Sequence, residues 1–135
     1  MYLIVIMVLI AIVTCLTGWQ KVDAADKLKI ALVLPGKKDD VSFNQAMYRG
    51  MMEYAEKHAD EVDVKVVENI YDVADIEPTL IEYANEGFDV VIGHGYQFSE
   101  PVITVAKMYP EVAFLLGCGV GDAPNVIRYD VQLEA

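Results

Sequence analysis

The stretch KIALVLPGKKDDVSFNQAMYRGM, Lys29 to Met51, decides the fold. Its first part, Ile30 to Leu34, is a short apolar run closed by Pro35. Such a run without polar alternation reads as a strand buried on both faces. From Ser42 to His58 the period changes. Phe43, Met47, Met51, Tyr54 and Ala55 recur at spacings of three and four, which marks one face of a helix. Ser42 and Gln45 stand in an S-x-x-Q relation, a capping box that would start that helix. Between strand and helix lies a polar loop crowded with Asp39, Asp40, Ser42 and Asn44.

The same alternation continues along the chain. VDVKVVENI, Val62 to Ile70, reads as a second strand. Asp75 would cap a second helix, with Glu77 and Pro78 in its first turn, Leu80, Ile81 and Ala84 on its buried side, and Gly87 as its stop. FDVVIG, Phe88 to Gly93, reads as a third strand. Ser99 and Pro101 open a third helix with Val102, Val105, Ala106 and Tyr109 facing inward, and Pro110 closes it. VAFLLG, Val112 to Gly117, is a fourth strand and NVIRYDV a fifth. Strand and helix in strict alternation imply an α/β three-layer sandwich, a parallel sheet with helices on both faces.

In such sheets ligands bind outside the carboxyl ends of the strands. Three loops lie there: PGKKDDVSFN, GHGYQFSE and GCGVGDAPN. In the first, Asp40 sits at the positive end of the helix dipole, either as a ligand-binding group or as a cap. Phe43 can stack on a planar ligand or begin the apolar face. Asn44 offers a donor and an acceptor together. In the second, Gly93 and Gly95 allow close backbone approach, and His94 is a lone histidine without metal-ligand spacing.

The chain has 135 residues, enough for one domain or for half of a two-domain protein, and a formal charge of −11. That charge argues against nucleic acid and anionic lipid headgroups as partners, and disfavours phosphorylated ligands. Cys15 and Cys118 are the two cysteines, which supports neither a disulfide framework nor a metal site. No G-x-S-x-G elbow, Walker loop or C-x-x-C motif is present, and neither an enzyme nor a cofactor is expected.

The first eighteen residues, MYLIVIMVLIAIVTCLTG, contain no charged side chain. Three readings fit residues 1–24: a signal cleaved after Ala24, a lipoprotein signal with Cys15 acylated, or an uncleaved anchor. All three place residues 25–135 outside the cytoplasm, at the outer face of the membrane or in a periplasm.

DDVSFNQAMYRGM, VADIEPTLIEYANEGFDVVIGHGYQFSEPVITVAKMYPEVAF and PNVIRYDV resemble the basic membrane protein family, substrate-binding lipoproteins of ABC importers, several of which are purine nucleoside receptors. The resemblance runs from about Lys29 to the end, and the D-x-S-F-N turn is its sharpest part. It implies a periplasmic-binding-protein-like fold of type I, with flavodoxin- or Rossmann-like topology. It covers a first, N-terminal lobe, residues 25–135, with the second lobe missing. It implies a nucleoside-like ligand held between two lobes, and ABC permease subunits as partners.

Carried over by position, Asp40 and Asn44 would hydrogen-bond the ligand and Phe43 would stack on its base. Gly95, Tyr96 and Phe98 would line the cleft. Many members have an aspartate about where Cys118 stands, and a thiol cannot replace a carboxylate as acceptor for a sugar hydroxyl. The alternative from the same resemblance is a membrane-tethered sensory or adhesion lobe that contacts a protein partner. A phosphate-accepting receiver domain is disfavoured, since the third strand ends in VVIGHG without an aspartate to phosphorylate.

Overall fold

A computed structural model describes residues 26–130. The expected signal or anchor at residues 1–24, Cys15 included, and residues 131–135 lie outside the described residues. The elements follow the expected alternation: β1 (Leu28–Val33), α1 (Phe43–Lys57), β2 (Val62–Val67), α2 (Val73–Asn85), β3 (Val90–His94), a 3-10 turn (Tyr96–Phe98), α3 (Ser99–Met108), β4 (Ala113–Gly117) and β5 (Val126–Tyr129). All five strands are parallel, in the order β2-β1-β3-β4-β5. This is the flavodoxin-like order, with its switch point between β1 and β3.

The continuous apolar character of β1 has a direct cause. Ile30, Leu32 and Leu34 pack on one side with Val62 and Ile92, against Met47, Tyr48, Met51 and Ala55 of α1. Ala31 and Val33 face the other side, with Val91, Phe114 and Leu116, beneath Ile76, Leu80, Val102 and Val105 of α2 and α3. Crossovers between parallel strands are right-handed. The step from β1 to β2 goes one way along the sheet and the steps to β3 and β4 go the other. So α1 lies on one face, and α2 and α3 on the opposite one.

Three local expectations are corrected. Tyr54 is 44% exposed and packs on His58 instead of the sheet. The buried stripe of α1 leans toward Asn44 and Tyr48, a shift of one position that periodicity does not resolve. The second helix begins at Val73, because Asp72 and not Asp75 caps it by accepting from the Ala74 amide. The first helix is not capped by Ser42 either, as described below.

β4 reaches β5 without a helix. The connection Cys118–Asn125 is shorter than most parallel crossovers, and it is stitched to α3. Ser99 Oγ donates to the Tyr96 carbonyl and accepts from the Val120 amide. Asn125 Nδ2 reaches the carbonyls of Ala106, Tyr109 and Val112 at 2.8–3.0 Å, satisfying acceptors left open at the end of the helix.

Candidate functional site

At the switch point, the loop after β1 turns toward one face of the sheet and the loop after β3 toward the other. The crevice between them is where such sheets take ligands. Asp40 organises the first loop. One of its oxygens accepts from the amides of Ser42 and Gln45, at 2.9 and 3.0 Å. The other accepts from the Asn44 amide and from Asn44 Nδ2, at 3.1 and 2.8 Å. Ser42 makes no side-chain cap bond. An ionised carboxylate has two acceptor oxygens and makes stronger, charge-assisted bonds than a hydroxyl, which explains why Asp40 displaces the expected capping box. The chain reaches this geometry through Val41, whose φ of 60° is rare for a β-branched residue and whose side chain is exposed.

The loop is also fastened to the end of β2. Glu68 accepts from the Lys38 amide at 2.7 Å and pairs with its ammonium at 3.3 Å. The sequence singled out neither residue, because this tie depends on the parallel register of β1 and β2.

The Asp40 carboxyl is pulled in two directions. Desolvation raises its pKa, while the amides of Gln45, Ser42 and Asn44 and the Asn44 side chain lower it, and the net result is about 2. A carboxylate whose folded pKa is depressed stabilises the fold above its unfolded value, and that stability is lost as pH falls. The expected outcome is that wild-type protein loses more thermal stability than Asp40→Asn between pH about 4 and about 2. Melting curves by circular dichroism across that window check it, and parallel curves for the two proteins would contradict it.

Asn44 is buried, and its amide orientation is set because Nδ2 faces an acceptor-only carboxylate. Its Oδ1 is left buried with no partner. Phe43 is half-buried, and one face of its ring stacks on His94 at 3.9 Å between centroids and 17° between planes. His94, the last residue of β3, is 1% exposed. Its Nε2 lies 3.3 Å from the Phe43 carbonyl oxygen and its Nδ1 2.8 Å from the Tyr129 hydroxyl. Histidine at this position carried little weight in sequence. Tyr129 carried none, since it stands 35 residues away and no spacing joins the two.

The second loop divides its residues. Gly95 is buried and adopts φ 138°, ψ 158°, a region essentially reserved for glycine, while its amide bonds the Gly117 carbonyl. Tyr96 is 66% exposed and lines a hollow of the same sheet edge with Ser99, Ile103 and Val120, on the α3 side. Phe98 has no exposed surface and packs in the core beneath α2 and α3. The cleft-lining role expected of Phe98 does not fit that burial: the 3-10 turn has its Tyr96 side toward solvent and its Phe98 side against the sheet. Among the described residues no cluster of histidine, cysteine and carboxylate side chains is arranged to hold a metal ion.

Comparison with known proteins agrees with this architecture. The chain is 26% identical over 109 residues to a purine-binding protein of Brucella abortus, covering 81% of this chain and 31% of the relative. It is 24% identical over 107 residues to the transcriptional activator protein Med of Bacillus subtilis, covering 79% of this chain and 33% of that protein. Among solved structures, an ABC transporter solute-binding protein from Conexibacter woesei superposes with a TM-score of 0.65 at 34% identity, over 76% of this chain and 35% of the other. The chain therefore spans about a third of the length of these relatives. The family model described as Bmp, ABC transporter substrate-binding protein PnrA-like, matches residues 27–132, and with strand order, switch-point loops and matched span in agreement, the chain belongs to that family.

Proposed function

We propose that residues 25–135 form the first lobe of a two-lobed solute receptor for an ABC importer, which holds a nucleoside-like molecule between its lobes. The observation that carries this reading is the Phe43 ring at the switch-point crevice, stacked on His94 on one side and only half-buried. An aromatic face of this kind suits a planar heterocycle, and base stacking contributes about 1–3 kcal/mol. Beside it, the unpartnered Asn44 Oδ1 carries a desolvation cost of about 1–3 kcal/mol, which a ligand N–H or O–H donor would relieve. Asp40 has its oxygens committed to the helix start. Its part in this reading is to hold Phe43 and Asn44 in place, with any bond to the ligand an addition to that.

The formal charge of −11 favours an uncharged solute over a phosphorylated one. Gly95 and Tyr96 extend the lining toward α3. The purine-binding relative from Brucella abortus supports a nucleobase as the recognised group. In this reading the partners are permease subunits, no catalysis occurs, and the lobe works outside the cytoplasm, held at the membrane by residues 1–24 or by a lipid on Cys15, or released after cleavage at Ala24.

The test is a calorimetric titration of the full-length, two-lobed protein, the first lobe alone keeping too few of the contacts to bind usefully, with adenosine, inosine, guanosine, uridine, the matching monophosphates and ribose. Micromolar binding of at least one nucleoside, with the monophosphates much weaker, is the expected result. Folded protein that binds none of the nucleosides would sink the ligand assignment.

A further inference from the structure

A buried imidazole must satisfy two nitrogens, and the partners of His94 fix how it does so. The Phe43 carbonyl oxygen can only accept, so Nε2 carries the hydrogen. In the neutral ring Nδ1 is then an acceptor, and the Tyr129 hydroxyl donates to it at 2.8 Å. The same imidazole lies parallel to the Phe43 ring. His94 thus grips Phe43 twice, by its ring and by its backbone carbonyl, while Tyr129 holds His94 from the end of β5.

The backbone makes room for this arrangement. A Cβ at Gly117 would stand 2.6 Å from the Tyr129 hydroxyl oxygen and 3.0 Å from His94 Nδ1. Any side chain there would break the bond between them. Tyr129 is further anchored by its carbonyl, which accepts from the Cys118 amide at 2.8 Å.

We propose that His94 and Tyr129 are a positioning pair: through one imidazole tautomer they hold the Phe43 ring as a preformed stacking face, so that the end of β5 sets ligand affinity without touching the ligand. The proposal deepens the reading of Phe43 as the stacking residue and rests on it. Preorganisation of this kind strengthens binding by removing the ordering cost of a side chain.

The groups around His94 are few. From the loop before α1 comes the Asp40 carboxylate, from α1 the Phe43 carbonyl, from β5 the Tyr129 hydroxyl. The Cys118 thiol and the Met47 thioether, 3.8 Å from the Tyr129 oxygen, stand behind it. Burial pulls the His94 pKa below its usual value of 6.5, against the Phe43 carbonyl and Asp40, which raise it. The neutral tautomer is therefore the working form at neutral pH. Protonation turns Nδ1 into a donor, and the Tyr129 hydroxyl must then accept and turn its own hydrogen elsewhere, toward Met47 Sδ.

The experiment is nitrogen and carbon NMR of the imidazole and phenyl rings, recorded without ligand on the full-length protein and on Tyr129→Phe, followed by calorimetry with adenosine and inosine. The expected wild-type signature is a single His94 tautomer with hydrogen on Nε2, a protonation midpoint below 6.5, and Phe43 ring signals that move at that same midpoint. In Tyr129→Phe the tautomers mix, the Phe43 signals shift, and nucleoside affinity falls about three- to tenfold. A wild-type ring with hydrogen on Nδ1, or Phe43 signals indifferent to His94 protonation, overturns the proposal even if the variant fails to fold. So does unchanged affinity in a folded Tyr129→Phe protein whose wild type binds. If wild type binds neither nucleoside, the ligand reading fails by itself, and the ring signals still decide whether the pair positions Phe43.

Discussion

Phe98→Ala is expected to destabilise the domain by about 3–5 kcal/mol, the usual cost of emptying a buried phenylalanine site. The side chain has no solvent exposure and packs with Val102, Val105 and Leu116. It also lies against the backbone of Gly93, where a Cβ would come within 2.9 Å of the ring. A cavity there cannot collapse easily, because strand β3 and helix α3 are each held by their own hydrogen bonds. Since domains of this size are stable by only about 5–15 kcal/mol, the melting temperature should fall on the order of 10–20 °C. Urea unfolding and thermal melts, both followed by far-UV circular dichroism, measure the two losses. A variant as stable as wild type that had lost nucleoside binding would restore Phe98 to the cleft, as the family resemblance implies.

Phe43→Ala should do the opposite: spare most of the stability and remove the stacking face. At about 1–3 kcal/mol for one stacked base, nucleoside affinity of the full-length protein should fall roughly 5- to 150-fold. The side chain is half-buried, and its loss uncovers one face of His94 without cutting either hydrogen bond of that imidazole, both of which use groups that alanine keeps or that lie elsewhere. Phe43→Tyr keeps the ring and should stay within a few-fold of wild type. Calorimetry on wild type and both variants separates the cases. If alanine binds as tightly as phenylalanine, the aromatic ring is a structural wedge and the ligand sits elsewhere along the crevice.

These two aromatics show what could and could not be read in advance. Both stood in carboxyl-end loops, and both matched positions that the family resemblance assigns to the cleft. Their fates differ because of where each backbone leaves the sheet. Phe43 begins α1 beside the crevice, whereas Phe98 lies on the inner side of a 3-10 turn that folds back over β3. Asp40 illustrates the same limit at shorter range. Its position at a helix start was legible, but its use of both oxygens on three amides and a neighbouring side chain follows from the turn at Val41. The expected capping box, by contrast, does not form, because Asp40 takes the Ser42 and Gln45 amides itself.

What the sequence determined by itself was the architecture: five strands, three amphipathic helices, and therefore a parallel sheet whose carboxyl-end loops form the site. That information is local, carried by apolar periodicity and by glycine and proline stops, and it survives errors of a few residues at each boundary. The tertiary structure alone decided the site's interior. His94 meets a carbonyl 51 residues before it and a hydroxyl 35 residues after it. Such contacts are set by sheet register, with β3 between β1 and β4 and Gly117 opposite His94. No property of the neighbouring residues encodes that register, because it is the outcome of packing both faces of the sheet at once.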